Sequence, residues 1–250
     1  LSAEQASYVD AVRTSGEALL SLINEILDFS RIEAGKLDLV AEPVDLTRLV
    51  EGAVELLAPR AQDKGIEIAA LIHPGLPRQI LGDGARLRQI VMNLAGNAVK
   101  FTASGGVGIR IERDGPETLL MTVADTGPGI AADRLGAIFD AFEQEGSNTA
   151  RSHGGTGLGL AITRRIVETM GGAISVVSQP GAGSAFRVAL PLMAAEDSAG
   201  PADPLPDLSG ERVVIVSASP FEAPFLAERL QRLGARVRLL ASADAVAADL

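Results

Sequence analysis

The sequence predicts an α+β protein, built as a two-layer sandwich of helices on a sheet. A long helix stands ahead of the sandwich and the start of a parallel α/β unit follows it. Three observations carry this prediction. Between residues 41 and 193 the helical stretches are set apart from paired β-compatible stretches, the pattern of a two-layer sandwich. From residue 3 to 33 there is no proline and one glycine, Gly16, under a continuous helical repeat. From residue 212 onward an apolar run, RVVIV, is followed by a helical stretch and a second β-compatible run.

In the first element, Val9, Val12, Gly16, Leu19, Ile23, Ile26 and Ser30 step by threes and fours, with Leu20 and Leu27 widening the stripe. One helix cannot bury such a stripe on itself, so residues 3–33 are expected to form a homodimer seam. The sandwich spans 41–193. Asp45 suits the N-cap of a helix over 46–61, tightened near Pro59. Residues 66–72 read as a strand and 84–101 as a helix. Strands are expected over 107–111 and 119–123, joined by the turn Arg113-Asp114-Gly115-Pro116. A short helix is expected over 131–139 and a polar loop over 143–155. A helix over 158–170 ends at Gly171-Gly172. Strands over 173–177 and 185–190 close the domain. Residues 194–208, rich in Ala, Pro and Asp, read as a linker. The partial unit 209–250 then holds a strand at 212–216, a helix over 221–233 and a strand at 237–240.

Composition narrows the function. The 250 residues carry 22 basic and 32 acidic side chains, a net charge of -10. This excludes a basic face for duplex or membrane-surface binding. Seven Phe, one Tyr and no Trp leave no base-stacking platform, so no nucleic-acid partner is expected. With no cysteine there are no thiolate or disulfide sites, in keeping with a reducing compartment. Two histidines, His73 and His153, do not make a His-rich metal site. No apolar run has bilayer length and no signal peptide opens the chain. The chain starts at Leu1 and ends inside an expected helix, which reads as a piece of a longer protein.

Three clusters carry chemistry. Asn93, Asn97 and Lys100 share one face of the 84–101 helix. An amide oxygen is a hard ligand suited to magnesium, and a lysine meets phosphate as a point charge. Taken alone, the triplet reads first as a solvated helix face with no ligand. Asp125-Thr126-Gly127-Pro128-Gly129-Ile130 follows a strand. Its glycines let backbone approach a flat ligand, and its carboxylate accepts from an exocyclic amine such as that of adenine. In isolation it is also an ordinary tight turn. Gly154-Gly155-Thr156-Gly157-Leu158-Gly159-Leu160 is a glycine-rich loop entering a helix N-terminus, where free N–H groups suit an anion. No strand precedes it, so it is not a Rossmann fingerprint. It also lacks the Gly-Lys-Ser/Thr of a Walker loop.

Together these motifs resemble the sensor histidine kinases of two-component systems, with the ATP-binding domain shared by gyrase, chaperone and mismatch-repair ATPases. DGARLRQIVMNLAGNAVKFT at 83–102 is similar to the N box, and DTGPGI at 125–130 to the first glycine box. IFDAFEQ at 138–144 is similar to the F box, GGTGLGLAI at 154–162 to the second glycine box, and GAGSAF at 181–186 to a third. LINEILDFSRIEAGKL at 22–37 resembles the end of the second helix of the phosphoacceptor hairpin, which would make 1–40 that helix. The resemblance implies ATP and Mg2+ as cofactors, with Asn97 on the metal and Asn93 and Lys100 along the triphosphate. It implies Asp125 on adenine beside Gly127, Gly129 and Ile130. Gly155, Thr156, Gly157, Leu158 and Gly159 would cradle phosphates, and Ser184 would belong to the third box. Phe142 would open a lid running to Gly155, from which Arg151 reaches the terminal phosphate.

The resemblance also implies a homodimer, a response regulator as phosphoryl acceptor, and a cytoplasmic location with any membrane tether in segments outside this chain. Neither His73 nor His153 occupies the family's phosphoacceptor position, which would lie upstream. Related ATPases carry a general-base Glu where this chain has Asn93, which favours phosphotransfer over water attack. The alternatives are a conformational ATPase and a nucleotide-binding scaffold. Residues 209–250 resemble the start of a receiver domain, with Ser217 and Ala218 in place of its acidic pair. That implies a degenerate receiver that docks on the kinase. Arg229, Arg232, Arg236 and Arg238 are candidates for an anionic regulator such as a cyclic dinucleotide.

Overall fold

The computed structural model describes residues 38–142, 157–195 and 206–242, with single positions between 2 and 30. A mixed five-stranded sheet forms its centre. It comprises β2 (Glu67–Ile72), β4 (Gly106–Arg113), β5 (Thr118–Asp125), β6 (Ala173–Gln179) and β7 (Gly183–Pro191), in the order β2-β4-β5-β7-β6. Only the β2–β4 pairing is parallel. Packed on one face are α1 (Leu46–Asp63), α2 (Gly84–Phe101) and α3 (Gly159–Thr169).

The alternation of β4 and β5 builds the core. Val107, Ile109, Ile111, Leu119, Met121 and Val123 point to the helical side and are buried against Leu57, Ile90, Leu94 and Ile166. Asp45 caps α1 as its sequence position predicts, accepting from the Arg48 N–H. α1 runs four residues past Pro59, with Leu57 and Ala61 buried on either side of the proline. Asp83 caps α2 through the Arg86 N–H, and its other oxygen accepts from the Val40 N–H. α3 ends where glycine was expected. Gly171 has φ 76°, and the N–H groups of Gly171 and Gly172 donate to Glu168 and Val167.

Two expectations change. Residues 131–139 do not form a helix. They make successive short turns closing in a 3-10 turn at Ala137–Phe139, because Phe139 leaves the helical path to pack edge-on against Phe186, ring centroids 6.3 Å apart. The sequence reading also missed a second, two-stranded sheet of β1 (Glu42–Asp45) and β3 (Gln79–Gly82). Each strand has only four residues, and Pro43 obscures the first. Ala194 and Ala195 remain attached to β3 through a bridge to Ile80 and a bond to the Gln79 carbonyl.

At the C-terminal end, β8 (Arg212–Val216) and β9 (Arg236–Leu240) pair in parallel across α4 (Glu222–Arg232). This is the strand–helix–strand order the sequence predicts. α4 also lies against β2, on the sheet face opposite α1–α3, so the sheet is covered from both sides at that edge. The described positions before residue 31 are mostly helical, and Val9, Val12, Leu19, Ile23 and Ile26 are exposed. Much of the predicted 3–33 seam lies outside the described residues. Among the described residues, no helix is long and apolar enough to cross a membrane.

Candidate functional site

α2 turns its apolar face to the core through Ile90, Val91, Leu94 and Ala98, which leaves Asn93, Asn97 and Lys100 half-buried along the other side. The Asn93 amide donates to the Gly159 carbonyl at 3.3 Å and to Thr163 Oγ1 at 3.2 Å. Thr163 in turn donates to the same carbonyl at 2.8 Å. Asn93 therefore fastens the start of α3, and with it the second glycine-rich loop, to α2. One turn further, the Asn97 side chain makes no hydrogen bond among the described residues. Burial holds the Lys100 ammonium below the usual lysine range, and it sits 4.8 Å from the Phe101 ring centroid. Beneath it Lys64 closes the helix. Its ammonium donates to the carbonyls of Val99 (2.8 Å), Lys100 (2.6 Å) and Thr102 (3.1 Å), placing a cation at the negative helix end.

The same end of α2 meets the first glycine box. Asp125 ends β5 opposite Ser184, and its Oδ1 accepts from the Gly127 N–H at 2.8 Å. Burial raises the Asp125 carboxyl above the usual aspartate range, against the backbone N–H groups of Gly127 and Ser184. A Cβ on Gly127 would lie 2.8 Å from that carboxylate oxygen and 3.3 Å from Thr102 Oγ1. Gly129, at φ 70°, passes so close to the Gln179 carbonyl that a side chain would overlap it. Ser178 ties this loop to the third box. Its hydroxyl accepts from the Ile130 N–H, donates to the Gly183 carbonyl, and lies 3.0 Å from Ser184 Oγ. The hydroxyl of fully buried Thr102 has no hydrogen-bond partner among the described residues.

At the other glycine-rich loop, Gly157 has φ 72° and the cap residue Leu158 is buried and apolar. It supplies no side-chain acceptor to the first turn of α3. Phe142, exposed and at φ 67°, donates its N–H to the Gly157 carbonyl at 3.1 Å. That bond joins the two ends of segment 143–156. Arg151, His153, Gly155 and Thr156 lie outside the described residues. His73 follows β2, its Nδ1 accepting from the Gly75 N–H, away from the Asn97 face.

The fold thus brings Asn93 to Gly159, and Asp125 to Gly127 and Ser184. Thr102, Ser178 and Lys64 are the contributors that sequence reasoning left without a role. Thr102 closes the N box and Ser178 sits between Val177 and Gln179 near the end of β6, but a hydroxyl or lysine in such a place has many uses. Among the described residues, no three His, Asp or Glu side chains gather as a metal cluster. The chemistry on offer is one hard amide oxygen, one cation, a helix N-terminus and a half-buried acceptor.

Residues 82–194 match the family described as histidine kinase-, DNA gyrase B-, and HSP90-like ATPase. The sensor histidine kinase GacS of Pseudomonas protegens is 38% identical over 241 residues, which cover 95% of this chain and 26% of GacS. The crystal structure of full-length ShkA in complex with AMPPNP superposes with TM-score 0.84 at 41% identity, over 99% of this chain and 51% of ShkA. The structure of the mycobacterial sensor histidine kinase MprB is matched over its whole length and 62% of this chain, at 32% identity and TM-score 0.52. The chain spans about a quarter of the length of GacS and about half that of ShkA. By fold, motif geometry and these likenesses, the chain belongs to the sensor histidine kinases, its central domain being a histidine kinase catalytic domain of the gyrase- and HSP90-like ATPase class.

Proposed function

We propose that the chain is the ATP-dependent catalytic core of a protein-histidine kinase in a two-component phosphorelay, directing the γ-phosphoryl of ATP to a histidine other than His73 or His153. The observation that carries this reading is the span of α2. From Asn93, fastened to the second glycine-rich loop, to Thr102, beside Asp125, the helix covers about 13 Å. One end suits phosphates and the other suits a base. Adenine fits the base end, where the orphaned Thr102 hydroxyl, the Asp125 carboxylate and the bare Cα of Gly127 converge. Gly129 and Ile130 form the rim of that end, and Ser184 and Ser178 brace it. At the other end the Gly157-Leu158-Gly159 backbone enters α3, whose N-terminal dipole favours phosphate.

Lys100, on the same face of α2 between Asn97 and Thr102, adds a positive charge to the site. Asn97 offers the one hard oxygen needed by a magnesium ion that takes its other ligands from phosphates and water. Bound there, the ion would neutralise charge on the phosphates. Gly155 and Thr156 extend the cradle, and the segment from Phe142 to Gly155, with Arg151, acts as the lid. Asn93, an amide already donating to α3, cannot take a proton from water. That favours transfer to an imidazole over ATP hydrolysis, the conformational-ATPase alternative. Residues 1–40 serve as hairpin helix and homodimer seam, 194–208 as linker, and 209–250 as a degenerate receiver. A response regulator is the expected acceptor.

Titration of residues 1–250 with ATP and GTP, with and without Mg2+, tests the site. ATP is expected to bind at least about tenfold tighter, since guanine sets a carbonyl against Asp125. Asn97→Ala should weaken binding only when Mg2+ is present. Equal affinities for the two nucleotides would overturn the adenine reading, and an Asn97→Ala protein that keeps the parent's full gain in affinity from Mg2+ would overturn the metal reading. In the whole kinase, Asn97→Ala should abolish histidine phosphorylation with the melting temperature unchanged.

A further inference from the structure

The sheet has a second face, and its residues are unusual for a strand surface. On β4, Val107 and Ile109 point into the core while Gly106, Gly108 and Arg110 point outward. Glycine weakens a strand, and a strand glycine commonly marks close approach by another part of the chain. Both glycines here are explained that way. A Cβ on Gly106 would overlap the Glu67 side chain, and one on Gly108 would overlap the Phe221 ring. Leu71, on the outward side of β2, is buried although it lies outside the core cluster under α1–α3.

What covers this face is the C-terminal unit. The cap residue of helix α4 is Phe221, which has no side-chain oxygen to close it. The cap comes from across the interface, because Glu67 Oε1 accepts from the Phe221 N–H at 2.6 Å and the Glu222 N–H at 3.2 Å. Ser219 takes the Ala223 N–H from its own side. A carboxylate at a helix N-terminus is also favoured by the helix dipole. Farther along, Arg110 grips Glu228 with two bonds, at 2.9 and 2.7 Å, and its guanidinium lies 5.1 Å from the Phe225 ring centroid. Arg232 reaches the same carboxylate.

We propose that the outward face of β2 and β4 is a dedicated seat for residues 206–242, in which Glu67 N-caps α4 from the other side and Gly106 and Gly108 keep the seat open for the Glu67 stem and the Phe221 ring. The seat lies on the face away from Asn97. It rests on these contacts alone, whether or not the histidine kinase reading holds.

Because the chain has no cysteine, two exposed positions can be labelled cleanly. Spin labels on Glu117→Cys and Gln231→Cys report the distance between the sheet and α4 in the 250-residue chain. The parent is expected to give one narrow distance. Gly108→Val places a good strand former on β4 but fills the seat, and should lose the narrow peak. Glu67→Ala removes only the cap, and should broaden the peak and speed amide exchange at Phe221 and Glu222. If Gly108→Val does not fold, as its melt and its ATP titration would report, Glu67→Ala decides. A broad distribution in the parent would overturn the proposal. So would a narrow peak kept in Glu67→Ala with the two amides still protected.

Discussion

The central domain and the C-terminal unit bury different things. Between residues 42 and 195, Leu46, Leu57, Leu87, Ile90, Leu94, Ile109, Ile111, Leu119, Met121, Ile162 and Ile166 are sealed completely. In 206–242 the only buried apolar side chains are Ala223, Ala227 and Ala235, while Val214, Val216, Leu226 and Leu239 stay exposed. A methyl group removes far less apolar surface from water than a leucine does, and a two-stranded sheet with one helix is marginal by itself. The central domain carries its own stability, and the C-terminal unit draws on a neighbour for its cap and its ion pair.

The most damaging way to probe this contrast is a pair of leucines. Leu94→Ala should cost the central domain about 2–5 kcal/mol, read as a large fall in its thermal midpoint. Leu226→Ala, at an exposed site, should stay within about 0.5 kcal/mol. Equal losses would erase the distinction between the two regions.

Two carboxylates sharpen the contrast, because the fold shifts them in opposite directions. Asp125 is raised by burial. Its contribution to stability is therefore present at low pH and lost as pH rises through its folded value. The ionised acceptor needed for adenine is present only above that value. ATP affinity should fall, by about tenfold, as pH drops through it, and Asp125→Asn should flatten the profile. A wild-type affinity that does not vary across the acid range would remove Asp125 from the base site.

Glu228 is lowered, first by its hydrogen bond to Arg110 and further by the charges of Arg110, Arg232 and His73, against desolvation. The stability it lends the seat is present above the ordinary glutamate range and lost as pH falls below it. This is the smallest effect, about 0.5 kcal/mol for a partly exposed pair. Glu228→Gln should broaden the spin-label distance slightly at neutral pH and leave it insensitive to acid. A seat that loosens in acid just as before in Glu228→Gln would place the pH response elsewhere.

Most of the central fold was legible because its determinants act over a few residues. Asp45 three residues before Arg48, the apolar alternation of β5 and Gly171-Gly172 after α3 each announce themselves locally. The stretch 131–139 misled because its composition suits a helix, whereas the Phe139 ring finds a better partner in Phe186, far along the chain. At the site, Asp125 and the glycines were legible as motif residues. Ser178, Lys64 and the unpartnered Thr102 hydroxyl were not, since each depends on what faces it across the fold.

The sequence by itself determined the order of most helices and strands, the polar face of α2 and the family likeness, because propensity, capping and periodicity are written into neighbouring residues. Only the tertiary structure decided that Asn93 binds Gly159, 66 positions away, and that Glu67 caps a helix 154 positions downstream. It also decided that Gly106 and Gly108 are openings for another part of the chain. A glutamate or glycine on a strand is chemically compatible with many partners. Which partner it meets is set by burying the apolar faces of the whole domain together, a cooperative choice that no short window contains.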